Sequence, residues 1–374
     1  FVEEGPDNVG GRTRGIAIHP DSNNVMFAGS VSGGLFVTRN YGTNWTRVQE
    51  FDDAMLNSAI GTGSLGISSI AITNDGVLYV ATGGEQYEGS LTSEYSGNIT
   101  GDGIWYSPST YDFNFSQLTG TNNRDVLKVV AHPSENNSIF YVGESTGLIK
   151  VVDYSPQALT NVPNSTVIDF KISSDGQVMI LGLTAGTRIE TMLSNDAGST
   201  WTNLHDNGSL NGFGNARAEY SISGNSLTNG NYVMYAVFAN NSGQLAGVYR
   251  TIDNGITWYQ IAPGATGNFR PLSNDVSGGQ GKYDLVILSS DDGEFCTLGG
   301  INLWEWQHTP NGAVDNGQWY VSSASWSPTL PNYIHADNHR LVYNSDGFLV
   351  VGNDGGIQIR NPQGFGTVMN KGYN

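Results

Sequence analysis

Short apolar runs recur along the chain, each closed by Asp-Gly, Asn-Asn or Gly-Gly, and they return in a fixed order. "IAIHPDSNNVMFAGSVSGGLFVT" (Ile16–Thr38) reads as strand, His-Pro turn, strand, Gly-bearing turn, strand, and "VVAHPSENNSIFYVGESTGLIKVV" (Val129–Val152) repeats that plan. Looser copies start at Ile70, Phe170, Tyr283 and Leu341. The runs are rich in β-branched and aromatic residues, the breaks between them are hairpin turns, and no stretch sustains a helical period. The pattern predicts an all-β chain with almost no helix. Units begin near residues 14, 67, 126, 167, 217, 283 and 340, a spacing of about 40 to 65 residues that suits propeller blades. We read a β-propeller of about seven four-stranded blades. One small sheet cannot bury both of its faces alone, so the blades must stack into a single domain over residues 1–374.

Within this plan one eight-residue turn is built three times: "TRNYGTNW" (Thr38–Trp45), "SNDAGSTW" (Ser194–Trp201) and "TIDNGITW" (Thr251–Trp258). The acid can accept hydrogen bonds from turn N–H groups, and the glycine supplies a left-handed backbone conformation. The tryptophan is expected to bury its indole between blades. Burial of about 200 Å² is worth up to roughly 5 kcal/mol before entropy, against about 1 kcal/mol for a turn hydrogen bond. The motif therefore reads as a staple between strands c and d of a blade, formed by Asn40, Gly42 and Trp45, by Asp196, Gly198 and Trp201, and by Asp253, Gly255 and Trp258. A further "DNGQW" (Asp315–Trp319) is one residue short.

Composition narrows the partners. The 34 acidic residues against 16 basic ones give a formal charge of −18, a field that repels phosphate backbones and anionic headgroups. Nucleic acid is therefore a poor partner. No apolar run approaches the roughly 20 residues that span a bilayer, so membrane insertion is not expected. The one cysteine, Cys296, rules out an internal disulfide framework and sits in an apolar run as a small buried hydrophobe.

At the eight-residue turns the chain resembles the Asp-box (BNR-like) propellers, which include sialidases, xyloglucanase-type glycoside hydrolases and the sortilin propeller. In that family the box is structural. Asn40 departs from it at the acid. "GPDNVGGRTRGIAIHP" (Gly5–Pro20), "GGQGKYDLVI" (Gly278–Ile287) and "HADNHRLVYNSDGFLVVGNDGGIQI" (His335–Ile359) look like secreted sortilin-like bacterial propellers, many of them exported by type IX secretion. The resemblance covers essentially the whole chain. It implies a protein that is secreted or held at the extracellular face of the outer membrane. Its partner would be a protein or glycan, an envelope or secretion-machinery subunit among them. A C-terminal sorting domain, common in these proteins, is not seen in the sequence.

Antiparallel neighbours put the b–c and d–a connections of every blade on one face, opposite the eight-residue turns. The longest b–c connection, Thr82–Gly103, carries Glu85, Tyr87, Glu88, Tyr95 and Asp102 in a polar setting suited to binding. The d–a connection into the seventh blade adds Trp319, Tyr320, Trp326 and Tyr333; these aromatics read first as fillers of the gaps between blades and otherwise as stacking platforms, with Trp326 and Tyr333 the binding candidates. "HADNH" places His335, Asp337 and His339 at alternating positions, so all three would point to one side. Three ligands within five residues of extended chain are strained geometry for one metal ion. A hydrogen-bonded polar cluster near the central channel, with Asp354 beside it, is the preferred reading. No metal or cofactor is assigned, although a bound cation stays open.

Catalysis finds little support. Sialidases need clustered arginines, and the eleven here are dispersed. In xyloglucanase-type enzymes an acid in an Asp-Val-Gly-Gly string is catalytic, but the matching "VSGG" here has Val31 at that place. Asp337 and Asp354 remain as an alternative carboxyl pair for a glycoside hydrolase. The leading expectation is a non-catalytic propeller that binds protein or glycan through the b–c/d–a face. A spacer packed against another subunit is a third reading.

Overall fold

A computed structural model describes residues 11–57, 65–83, 101–143, 147–159, 161–162, 164–186, 188–205, 210, 215–273, 278–323, 325, 333–360 and 368–370. Seven sheets, each of four consecutive antiparallel strands, follow one another along the chain. Their innermost strands are Thr13–His19, Ile67–Ile72, Val126–Ala131, Val167–Ile172, Asn215–Ile222, Val286–Ser289 and Asn338–Tyr343. Each packs on the next, and Asn338–Tyr343 packs back on Thr13–His19, so the ring closes as a seven-bladed propeller. All four strands of blade 7, ending with Val368–Asn370, come from one end of the chain. Among the described residues the ring is thus sealed by packing and polar contacts between first and last blades.

The period-two alternation of the strands explains the core. In blade 1, Phe27 joins the cluster shared with blade 2, while its neighbours Met26 and Ala28 join the cluster shared with blade 7. Blade 5 behaves alike: Tyr235 and Val237 face blade 6, whereas Met234, Ala236 and Phe238 face blade 4. Among the described residues the buried apolar side chains fall into seven clusters, one per seam. A fully apolar strand is therefore required wherever both faces meet a neighbouring blade. Cys296 lies wholly buried in the seam between blades 5 and 6, and burial pushes its thiol well above the usual range.

The three eight-residue turns share one geometry. In blade 4, Asp196 Oδ1 accepts from Thr200 N at 2.8 Å and Ser194 Oγ at 2.7 Å, and Trp201 Nε1 donates to Gly198 O at 3.1 Å. In blade 5, Asp253 Oδ1 accepts from Thr257 N at 2.9 Å, and Trp258 Nε1 donates to Gly255 O at 3.0 Å. Asn40 supplies the same acceptor, taking Asn44 N at 2.9 Å, so the missing charge does not break the turn. Gly42, Gly198 and Gly255 all have positive φ, and so do Tyr41, Ala197 and Asn254 before them. Each tryptophan is half-buried against its seam instead of fully enclosed, so the full-burial figure overstates its packing contribution. Trp319 is different: it lies within the outer strand Gly317–Ser323 of blade 6 and donates to Ile261 O of blade 5.

Among the described residues one helix, Gln49–Leu56, interrupts the all-β plan in the connection from blade 1 to blade 2. It buries Phe51 and Met55, one turn apart, in the first seam, and its buried Asp52 pairs with Arg47 at 2.5 Å.

Candidate functional site

Near the start of the innermost strands the register slips by one residue in six of the seven blades, between Thr13 and Gly15, Ile67 and Ser69, Val167 and Asp169, Asn215 and Arg217, Asn338 and Arg340, and opposite Val126 in blade 3. Such bulges sit at the b–c/d–a face and re-aim the side chains that follow them. The consequence is a column of charged side chains at the ring's centre. Lys128 of blade 3 reaches Glu219 of blade 5 at 3.3 Å, passing over blade 4, which is feasible only along the inner surface. Asp169 of blade 4 accepts from Lys171 at 2.5 Å and from Tyr220 N at 2.8 Å, and stands 3.7 Å from Lys128. Arg217 bonds Glu219 at 3.0 Å and Leu285 O at 2.9 Å. Burial penalises the Asp169 carboxylate, but Lys171 and Lys128 overcome that and hold it below the usual range.

Toward the b–c/d–a mouth the column ends in a second cluster. Asp354, in the b–c turn of blade 7, accepts Arg12 Nε at 2.9 Å and Arg12 Nη2 at 3.3 Å. It also accepts Tyr283 OH at 2.8 Å and is bonded to His339 Nε2 at 2.8 Å. Arg12 lies over the Tyr283 ring at 4.7 Å, and Tyr283 meets the His339 ring edge-on at 4.9 Å. One carboxylate thus ties the approach to blade 1, the approach to blade 6 and the inner strand of blade 7. Burial pulls Asp354 upward, yet His339, Arg12 and Tyr283 outweigh it and hold the carboxyl well below the ordinary range.

Asp284, fully buried beside Tyr283, has the opposite environment. Among the described residues neither of its oxygens meets a hydrogen-bond donor, and the Asp337 carboxyl faces it. Burial and the charge of Asp337 push Asp284 well above the carboxylate range, against the pull of Arg217. Asp337 is itself raised by burial and by Asp354. Both carboxyls are thus pushed toward the neutral form.

The alternation expected for "HADNH" does not survive in the structure. Asp337 has φ +66° and His339 sits at the register slip, so the chain is not extended there. His339 turns to Asp354 and Asp337 to Asp284, while His335 donates its backbone N–H to Gln358 and its ring Nδ1 meets Ala336 O. Among the described residues no three His, Cys, Asp or Glu side chains converge on a metal-sized site. Tyr333 is half-buried. Asp102 is buried at the stem of the long insertion, where Gln117 Nε2 bonds its carboxylate at 3.0 Å and Asp102 N donates to Thr82 Oγ1 at 2.7 Å. Glu85, Tyr87, Glu88, Tyr95 and Trp326 lie outside the described residues. The structure thus brings Asp337, His339 and Asp354 together, and adds Arg12, Tyr283 and Asp284, which sequence reasoning missed. A signal existed for the deeper column: "LKVV", "IDFKI" and "ARAEYSI" place charges inside otherwise apolar strands.

These features define the class: the chain is a seven-bladed β-propeller with an internally paired polar centre. No family model matches it, and no curated protein does. Solved structures do. A GH74 xyloglucanase from Xanthomonas campestris superposes with a TM-score of 0.62 at 14% identity, over 96% of this chain and 54% of that one. An ancestral GH74 enzyme gives 0.66 at 14% identity, over 97% and 47%. The chain therefore spans about half the length of these two proteins. YCF48 from Cyanidioschyzon merolae gives 0.58 at 12% identity, over 96% and 98%. At such identities the likeness is one of fold.

Proposed function

We propose that the chain is a secreted or cell-surface propeller that binds a protein or glycan through its b–c/d–a face without performing chemistry on it. The observation that carries this reading is that the carboxyls at the centre of that face are already engaged. Asp354 has Arg12, Tyr283 and His339 as partners, and Asp337 faces Asp284. An inverting glycosidase needs its two carboxyls about 6.5 to 9.5 Å apart, with a water and a sugar between them. The two carboxyls such a mechanism would use here, Asp337 and Asp354, are each tied to other groups, Asp354 to three donors and Asp337 to Asp284. The long insertion is held at its stem by Asp102, Thr82 and Gln117, and a loop rooted on a rigid scaffold supports a binding role. Export by the type IX route and a place among envelope subunits belong to this proposal through the sequence resemblance alone.

The alternative, a glycoside hydrolase, draws on the fold shared with GH74 proteins. Incubating the wild-type chain with xyloglucan and other polysaccharides, and following new reducing ends, separates the two. Ligand retention without cleavage, unchanged in Asp337→Asn, supports binding. Cleavage that disappears in Asp337→Asn or Asp354→Asn, with both variants folded by circular dichroism, establishes the hydrolase.

A further inference from the structure

The a–b turns of the seven blades lie beside the eight-residue turns, on the face opposite the b–c and d–a connections. Asp21, Asp75, Asp175, Asp291, Asp292 and Asp346 stand exposed there, and none of the seven a–b turns contains a lysine or arginine. A face of one sign attracts a partner of the other. Among these acids, between the a–b turns of blades 5, 6 and 7, lies a cavity of about 250 Å³ lined by Asn225, Asp291, Asp292, Phe295, Tyr343 and Gly347.

The turns themselves fix its walls. Ser290 Oγ donates to Asp292 Oδ1 at 2.6 Å, Glu294 N donates to the same oxygen at 3.0 Å, and Phe295 N donates to Ser290 Oγ at 3.2 Å. Gly293, at φ +70°, lies so close to Val233 that a Cβ there would come within 2.4 Å of its side chain, which seats the blade 6 turn against blade 5. Asn225 N donates to Asp291 O at 2.8 Å, and a Cβ on Gly224 would fall 2.2 Å from Asp291 Oδ1. Bare backbone at Gly224 thus leaves the space that the Asp291 carboxylate occupies. One Asp292 oxygen is committed to its turn, but among the described residues no hydrogen bond or ion pair engages the Asp291 carboxylate. The Tyr343 hydroxyl is buried beside Thr297, and among the described residues neither hydroxyl completes a hydrogen bond. Burial pushes the Tyr343 hydroxyl up to about 12, so at neutral pH it keeps its proton and can both donate and accept.

The cavity is smaller than the roughly 300 to 1,000 Å³ of small-molecule sites, which suits one side chain of a larger partner. An unpaired carboxylate, an unpaired hydroxyl and two aromatic residues match an ammonium on an apolar stem, the side chain of lysine. Calcium fits less well, since it takes about six to eight oxygen ligands and among the described residues no three acids converge.

We propose that the a–b face docks a basic protein and that this cavity receives one of its lysine side chains, with the ammonium on Asp291. The inference concerns the reverse face and is independent of the binding reading for the b–c/d–a loops. The test titrates a fluorescent peptide alternating lysine and serine, its arginine and Nε-acetyl-lysine counterparts, and spermine, against the full chain and its Asp291→Asn, Gly224→Ala and Asp112→Asn variants. Ionic strength is held at about 0.15 M, where attraction between exposed charges is screened beyond about 8 Å. Asp291→Asn is expected to weaken the lysine peptide about 10-fold or more. Asp112→Asn removes the same charge from the c–d turn of blade 2, across the ring, and should change binding about 2-fold or less. Gly224→Ala crowds the Asp291 carboxylate without removing its charge and should weaken the peptide as well. The arginine and acetylated peptides should bind less tightly than the lysine one. Asp291→Asn removes no internal hydrogen bond of the described residues, so its Tm should match wild type. Equal losses in Asp291→Asn and Asp112→Asn would mean diffuse attraction to the face and overturn the proposal. So would arginine peptides bound as tightly as lysine ones, or no peptide retained by the wild type. Spermine held through Asp291 while no peptide binds assigns the cavity to a free polyamine and overturns it too.

Discussion

Replacing Asp354 by Asn keeps the shape of the side chain and removes the charge that three donors share. The amide must also turn an N–H₂ toward at least one donor, Arg12, Tyr283 or His339, that previously met an acceptor. A hydrogen bond to a charged group is worth about 1.5 to 3 kcal/mol, and contacts on one carboxylate do not add. The side chains are 21% exposed for Asp354 and 33% for Arg12, so solvent screens part of the pairing. We expect a net loss of about 3 kcal/mol. At about 2.1 cal/mol/K per residue, 374 residues give an unfolding entropy near 0.8 kcal/mol/K, so Tm falls by about 4 °C at pH 7. The sign of the pH dependence follows from the depressed carboxyl. Its stabilisation is present above the unfolded value of about 3.9 and is lost as pH falls through the lower folded value. Differential scanning calorimetry of both proteins from neutral to acid pH should therefore show the gap closing only on the acid side. A variant within 1 °C of wild type at about pH 7, or a gap that widens on acidification, refutes the reasoning.

Other consequences can be checked alongside. Asp284 is raised, so its contribution is fully present below about pH 4 and is lost as pH climbs toward the folded value; Asp284→Asn should stabilise the chain more at pH 8 than at pH 5 in urea melts. Gly279→Ala drives a methyl into the Gly243 carbonyl and should cost about 2 kcal/mol or more by the same measurement. Trp258→Ala removes a half-buried indole and its bond to Gly255 O, for an expected loss of about 2 to 3 kcal/mol. Cys296 should resist maleimide in the folded protein and react in denaturant, as mass spectrometry would record.

Much of the architecture was legible because each blade repeats the same local physics. The apolar alternation of strands such as Ser22–Ser30 had to serve two seams, and the repeated acid-Gly-Trp turn marked the c–d hairpins. Outer strands of two residues, Thr46–Arg47 and Ser116–Gln117, carry no readable period. The helix Gln49–Leu56 was missed because its two apolar contacts, Phe51 and Met55, follow Val48, which offers no side-chain cap. At the site, Asp337, His339 and Asp354 were visible as a polar string near the last blade. Arg12 was not, because only ring closure brings it beside a residue 342 positions away. Tyr283 and Asp284 lay in a stretch singled out for its resemblance, and nothing in local sequence tells a buried acid from a surface one.

The claim on which the account turns is that the central carboxylate of the face is committed to its neighbours and is not available as a proton donor. Selective ¹³C labelling of aspartate carboxyls, with Asp354→Asn to assign the resonance, measures this directly. The account predicts that the Asp354 signal stays that of an ionised carboxylate down to about pH 3; a resonance that titrates between about pH 5 and 7, where a general acid operates, contradicts it.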